Sequence, residues 1–567
     1  MRPGLILTLA LLLTACSGKD DDTDGDPGDD TAATSGADDT GSAAADDTGA
    51  TGGDTADTSL TDDTGVTDDT GAPGDADGDG YGGPDGDGSD CDDGDPDVFP
   101  GATEICGDGV DSDCDGNPSP PGGCDYESAD FQRFPGVAAD DGAGYAVASD
   151  DLDGDGVGDI VISAPYVDGT DAYSAGAAYV ISGARAGTGD LSLADADATL
   201  AGVTANHYLG SSAGAGDLDG DGQADLAVAA GFAGDSVGGE VYVWSGPLSG
   251  DYTPSDAAAV LMGESGAAAG WAMHASDVDD DGVSDLLVGA HSHNNSAGVA
   301  YLVLGPVSGT MDMGDADVRL RGSERGDYVG VALAIVGDLD GDGLQEIGVS
   351  ASYEDSDVED SGAVYLLSGA GGASSPGDRA FADADAVVIG DADALNMGHG
   401  VGRVGDVDGD GLDDLLVAAK GVDCDGGVDN GASYLFTGAI SGTVEVSSAG
   451  GRFCGGDGGQ SGEYITGADL NGDGFADVVH AANRDSGAHD YSGAVYVWYG
   501  PTSGDQTPGT ADVRVYGDAM HENLGSAVLG VEDLDGDGAA ELLVGARGMA
   551  GGASLSGGAV LLGSAGL

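Results

Sequence analysis

One nonapeptide, written seven times, constrains this chain more than any other feature. The copies are DLDGDGVGD from Asp151, DLDGDGQAD from Asp217, DVDDDGVSD from Asp277, DLDGDGLQE from Asp338, DVDGDGLDD from Asp406, DLNGDGFAD from Asp469 and DLDGDGAAE from Asp533. They start 66, 60, 61, 68, 63 and 64 residues apart. A period of that length marks one supersecondary unit repeated, each copy too small to bury its apolar faces without a neighbour.

Within a copy, oxygen-bearing side chains stand at positions 1, 3, 5 and 9. They are Asp151, Asp153, Asp155 and Asp159 in the first repeat, Asp217, Asp219, Asp221 and Asp225 in the second, and Asp277, Asp279, Asp281 and Asp285 in the third. Asp338, Asp340, Asp342 and Glu346 follow, then Asp406, Asp408, Asp410 and Asp414, then Asp469, Asn471, Asp473 and Asp477, and last Asp533, Asp535, Asp537 and Glu541. A hard cation such as Ca2+ takes six to eight oxygens, so alternate side chains must converge while the backbone turns sharply, which the position-6 glycine permits. About seven Ca2+ sites are therefore expected. A helix-loop-helix calcium hand needs a bidentate Glu at position 12, where this chain has Ile162, Val228, Val288, Val349, Val417, His480 and Val544. The hand is excluded.

A strand follows each loop instead, as in DIVISAP, DLLVGAH and ELLVGAR, and GAAYVISG-like segments come about 20 residues later. A glycine-rich approach strand before the loop and a short closing strand such as ATLAG (198–202) or DVRVYG (512–517) complete the unit. The spacing predicts an all-β, seven-bladed β-propeller of four-stranded antiparallel blades. The seventh repeat ends at GGAVLLGSAGL without its fourth strand, while ADFQRFPG (129–136) has the form of a fourth strand and no blade of its own. Residues 129–136 are expected to complete the seventh blade and hide the last sheet edge.

The order of approach aromatic and glycine, DxDxDG loop and GAP-like turn resembles the FG-GAP repeats of integrin α subunits over about residues 130–567. The GAP survives only as Ala164 and Pro165 in the first repeat; the others read AG, AH, AS, AK, AN and AR. Tyr145, Tyr208, Trp271, Tyr328 and Tyr464 are the approach aromatics, with Met397 and Leu524 in the two remaining repeats. The resemblance implies a binding or adhesion module whose partner, a protein or a glycan, meets the face opposite the calcium loops. Cys424 and Cys454 are both placed on that face and can pair. Arg325, Gly326 and Asp327 resemble an integrin-binding signal there, but Gly-Asp recurs in the repeat at this place, which makes the tripeptide a coincidence.

Upstream of the propeller (126–567) the chain changes character. MRPGLILTLALLLTAC reads as an export signal (1–15) too short to span a membrane, and Leu13 to Cys16 resembles a bacterial lipobox, implying acylation of Cys16 and a membrane anchor. This predicts an exported protein held on the outer membrane, at the cell surface or in the periplasmic leaflet. Residues 16–74, almost all Asp, Thr, Gly, Ala and Ser, are expected to form a disordered stalk. Residues 75–125 carry Cys91, Cys106, Cys114 and Cys124, whose pairing spacing alone leaves open, and Asp75, Asp77 and Asp79 as further candidate ligands. This stretch is similar to a Cys/Asp-rich metal-binding motif of exported bacterial proteins.

With 105 acidic against 14 basic residues, a net charge of −91, the chain repels nucleic acid. Carboxylates this dense call for bound cations. No nucleophile motif or phosphate loop is present, His291, His293 and Asn294 share one loop without carboxylate or cysteine at ligand spacing, and His480 reads as a core residue. The sequence therefore points away from an enzyme. A propeller-based enzyme on polysaccharide or lipid, or a structural matrix component, are the alternatives.

Overall fold

In the computed structural model, the described residues are 124–128 and 131–563, apart from 171, 235–236, 356–359, 370–376, 392–395, 425–429, 457–458, 460 and 551–554, together with 81, 91, 98–100, 102, 112 and 114. Cys16, Asp75, Asp77, Asp79, Cys106 and the stretch read as a stalk lie outside them.

Seven sheets are built in chain order. Blade 1 consists of Val147–Asp150, Asp159–Ala164, Ala177–Ile181 and Ala198–Ala201, each antiparallel to the last. The second strands are buried along their whole length, as expected of runs such as DIVISA in the middle of a stack of sheets. The first strands of successive blades are neighbours in a closed circle: Val147–Asp150, Leu209–Gly216, Met273–Ser276, Val329–Gly337, Met397–Gly405, Ile465–Ala468, Leu524–Val531 and back to the first. This places them innermost.

The apolar core is divided the same way. Each of the seven buried clusters draws from two adjacent blades, for example Val161, Leu200, Leu226 and Trp244 between blades 1 and 2. Glycines make the seams possible. Gly176, at the start of the third strand of blade 1 and at φ 84°, bridges Leu209 of blade 2, and a Cβ there would meet the Leu209 carbonyl at 2.1 Å. Any side chain at this position forces the blades apart.

The ring closes as the sequence predicts. Gln132–Pro135 is the antiparallel fourth strand of blade 7, pairing Phe134 with Ala559. Phe134 is fully buried with Ile160, Ile162, Leu543 and Leu561 in the cluster joining blades 7 and 1.

One feature exceeds the expected four strands. In blades 1 to 5 the connection between the third and fourth strands of the following blade adds a fifth, parallel strand to the outer edge. Gly250–Tyr252 lies on Ala198–Ala201, Gly309–Asp312 on Ala259–Met262, Gly377–Arg379 on Val318–Arg321, Gly442–Glu445 on Ala386–Ile389, and Gly504–Gln506 on Gly451–Cys454. Blade 6 receives its fifth strand from Cys124–Glu127, which pairs with Val513–Tyr516. Segment 124–135 thus supplies both missing parts of blade 7, first the strap and then the fourth strand. The physical reason is the exposed row of N–H and C=O groups on an outer strand, which each strap satisfies.

Candidate metal centres and the opposite face

Each DxDxDG loop joins a first strand to a second, so all seven lie on one face of the disc. Their fold is set by the carboxylates themselves. The position-1 Oδ2 accepts from the position-6 glycine N–H at 2.8–3.0 Å in all seven loops. The position-9 carboxylate accepts from the position-2 N–H at 2.7–3.0 Å, again seven times. In the five repeats with Asp at position 9, its second oxygen accepts from the N–H of the glycine two residues past the third strand: Gly183, Gly246, Gly305, Gly438 and Gly500. The loop is thereby tied to its own sheet.

Positions 1, 3 and 9 come together in four of the loops, without the position-5 carboxylate that the spacing also brings in. Ligand oxygens of Asp151, Asp153 and Asp159 lie within 4.8 Å of one another, as do those of Asp217, Asp219 and Asp225, of Asp277, Asp279 and Asp285, and of Asp338, Asp340 and Glu346. In the seventh loop Asp533, Asp535, Asp537 and Glu541 all converge. The position-5 carboxylates are exposed and accept from the position-7 N–H, for example Val157 N to Asp155 Oδ1 at 2.9 Å. Asn471 Oδ1 accepts from Asp473 N at 3.0 Å, holding the amide in the same place as the aspartates.

The donor set fits a hard divalent cation. Burial, aided by the neighbouring carboxylates, pushes Asp159, Asp225, Asp285 and Asp414 up to about 6, Glu346 and Glu541 up to about 7, and Asp477 well above its ordinary value. The two glutamates each leave Oε1 buried without a hydrogen-bond partner. Buried acceptors and crowded like charges are costly in isolation, and a cation at their centre removes both penalties.

The opposite face holds the starts of the first strands and the ends of the second. The disulfide Cys424–Cys454 forms there, in blade 5. Upstream, Cys91 pairs with Cys114, and Cys124 is itself disulfide-bonded. Asp327 of the RGD tripeptide is buried and accepts from Glu324 N at 2.9 Å, so its carboxylate is turned inward. Asp141 and Glu522 make the equivalent bonds to Ala138 N and Ala519 N. What recurs is a carboxylate that closes a turn on the N–H three residues back, whether or not a glycine precedes it. His480 is fully buried, bonded through Nδ1 to Ser433 Oγ at 2.8 Å and held at about 3 by burial. His293 faces Glu264 and Arg321, whereas His291 stacks among aromatic rings.

The approach aromatics need correction. They share no single register. Tyr145 and Trp271 follow the positive-φ glycines Gly144 and Gly270, Tyr208 and Tyr328 precede the corresponding glycines by two residues at positive φ, and Tyr464 lies two residues after its own, Gly462. What they have in common is a place: together with Tyr166, Phe232 and Tyr353 from the second-strand ends, most of them line one arc.

Comparison with known proteins agrees with this architecture. The FG-GAP repeat profile matches residues 143–181, 209–244, 329–367 and 401–436, in blades 1, 2, 4 and 5. Residues 90–118 match a profile described as "Putative metal-binding motif". Among curated proteins, phosphatidylinositol-glycan-specific phospholipase D of Rattus norvegicus is 32% identical over 151 residues, 26% of this chain and 18% of that protein. Integrin alpha-4 of Xenopus laevis is 32% identical over 154 residues (26% and 14%), and integrin alpha-V of Gallus gallus 30% over 231 residues (38% and 20%). The matched stretch spans a fifth or less of each of these relatives.

Proposed function

We propose, for a chain that carries FG-GAP repeats on a seven-bladed propeller, that it is a calcium-loaded binding or adhesion module, exported and anchored to the outer membrane through acylated Cys16. The observation that supports this best is the division of labour between the faces. One carries seven near-identical carboxylate loops suited to a resident cation, with Asp or Asn at positions 1, 3 and 5 and Asp or Glu at position 9, and the other carries aromatic and charged side chains that differ from blade to blade. Ca2+ is favoured over Mg2+ because loops built on several carboxylates suit a large, flexible coordination shell. The cation would neutralise and fix each loop, and so hold the first and second strands of every blade.

The partner, a protein or a glycan, meets the opposite face. Attachment of the calcium-loaded protein to cells of its own source or to their extracellular matrix, scored with and without substitutions on that face, tests the reading. Unchanged attachment in the Trp271→Ala, Phe232→Ala double variant overturns it. The phospholipase match favours a second reading, a propeller serving an enzyme on lipid or polysaccharide, and release of product from glycan or glycolipid by the purified chain would establish it.

A further inference from the structure

Basic side chains are scarce in this protein, 14 in 567 residues, yet three of them meet at one spot. Lys420, Arg484 and Arg547 stand one or two residues past the end of the second strands of blades 5, 6 and 7, on the face away from the metal loops. Between them lies Glu463, at the start of blade 6. Burial pushes its carboxyl up, but the positive groups around it, Lys420, Arg547 and Arg484 among them, outweigh this and hold it below its ordinary value. Lys420 Nζ is 3.8 Å from a Glu463 oxygen. Burial holds His399 at about 4, so it is neutral, and its Nδ1 has no hydrogen-bond partner. Three cations therefore gather about one anion.

Arg547 joins this group to the aromatic arc. Its guanidinium lies 5.3 Å from the centre of the Tyr145 ring, and among the described residues it donates to no acceptor. From Tyr145 the rings continue with Tyr166 at 6.1 Å, Tyr208 at 5.8 Å and Phe232 at 5.2 Å between centroids. A second run, Trp271, His291, Tyr328 and Tyr353, carries the arc through blades 3 and 4 at 4.4, 6.0 and 5.1 Å. Phe232 and Trp271 are 45% and 39% exposed, so each run keeps one ring open to solvent.

We propose that this cluster and the aromatic arc beside it form a binding site for an acidic glycan, with uronate carboxylates on Arg547, Arg484 and Lys420 and sugar ring faces on the aromatic arc. The inference rests on the reading of this face as the binding face. A planar guanidinium with unused donors matches a carboxylate, and the exposed rings of Phe232 and Trp271 offer apolar surface to sugar ring faces. A cationic partner would meet Arg547 and Lys420 head on. A peptide adding as a strand finds the outer edges of blades 1 to 6 already occupied by straps.

The test uses the full chain at saturating Ca2+ and isothermal titration with uronate hexasaccharides built on glucuronate, galacturonate or mannuronate, each beside its carboxyl-reduced, neutral counterpart. At least one uronate is expected to bind at micromolar to sub-millimolar strength and its reduced form about 10-fold to 100-fold more weakly. Arg547→Gln should lose a similar factor for the uronate only, and Trp271→Ala should weaken both forms. Arg484→Gln, at an exposed position, guards against a folding defect in Arg547→Gln. Absence of uronate binding, equal binding of the reduced sugar, or displacement by poly-glutamate peptide at lower concentration overturns the proposal. If these variants still abolish cell or matrix attachment, only the ligand class has failed; if attachment is untouched by them, the binding-face reading has failed with it.

Discussion

The two faces of the disc were built under different rules. On the metal face, seven loops share the same two closing hydrogen bonds, because each must close the same turn between the same two strands. On the opposite face the equivalent positions read Tyr145 in blade 1, Trp271 in blade 3, His399 in blade 5 and Glu463 in blade 6. Repetition marks what holds the fold; its loss marks what the fold presents.

The sharpest way to break this comparison is to remove the cation. If each loop binds near 10⁻⁴ M, millimolar Ca2+ contributes about 1.4 kcal/mol per site, and seven sites roughly 10 kcal/mol, as much as the whole stability of many domains. Excess EDTA should therefore lower the melting temperature steeply, and an unchanged calorimetric trace would show that the loops stand without metal.

Next in size is the seam that makes the disc a ring. Phe134→Ala removes a fully buried ring from the 7/1 cluster and should cost about 3–5 kcal/mol in urea unfolding of the calcium-loaded protein. Replacing Cys424 and Cys454 by Ser opens a 30-residue loop and should cost about 3–4 kcal/mol, measured the same way.

The pH response of the two states should have opposite signs. Without metal, the position-9 carboxyls of six repeats titrate in the folded state at about 6 to 7, and Asp477 is also raised, all above their unfolded values near 4. Between those limits the folded state binds more protons, so the EDTA-treated protein should melt higher at pH 5 than at pH 7.5. With Ca2+ bound the same carboxylates must stay ionised, and acidification across that window should lower the melting temperature. The smallest effect belongs to the presenting face: Phe232→Ala should change stability by less than about 0.5 kcal/mol while changing attachment.

Much of the scaffold was legible because its parts recur. The carboxylate spacing and the position-12 residues gave the loop type, and the strandless end of repeat seven against ADFQRFPG gave the clasp. The straps were not legible: Gly250–Tyr252 and Gly504–Gln506 are three residues long, carry no alternation, and are strands only because a neighbouring blade offers an edge. The ionic cluster does carry a signal, in the turns reading AK, AN and AR: Lys420 is the only lysine beyond Lys19, and a rare cation repeatedly placed after a second strand is information in itself. The aromatics misled in the other way, since one compositional class occupied three registers that only the backbone separates.

The clasp has a mechanical side. Tension applied to the chain ahead of Cys124 enters the disc at its rim, on the strap of blade 6, where Cys124 N donates to Asp512 O and Arg514 holds Asp125. It next reaches Gln132–Pro135, bonded to the last strand of the chain, before any inner strand is loaded. Pulling there thus strains the joint between Gln132–Pro135 and Gly558–Leu562 rather than unzipping one blade, and a ring so fastened shares the load around its circumference.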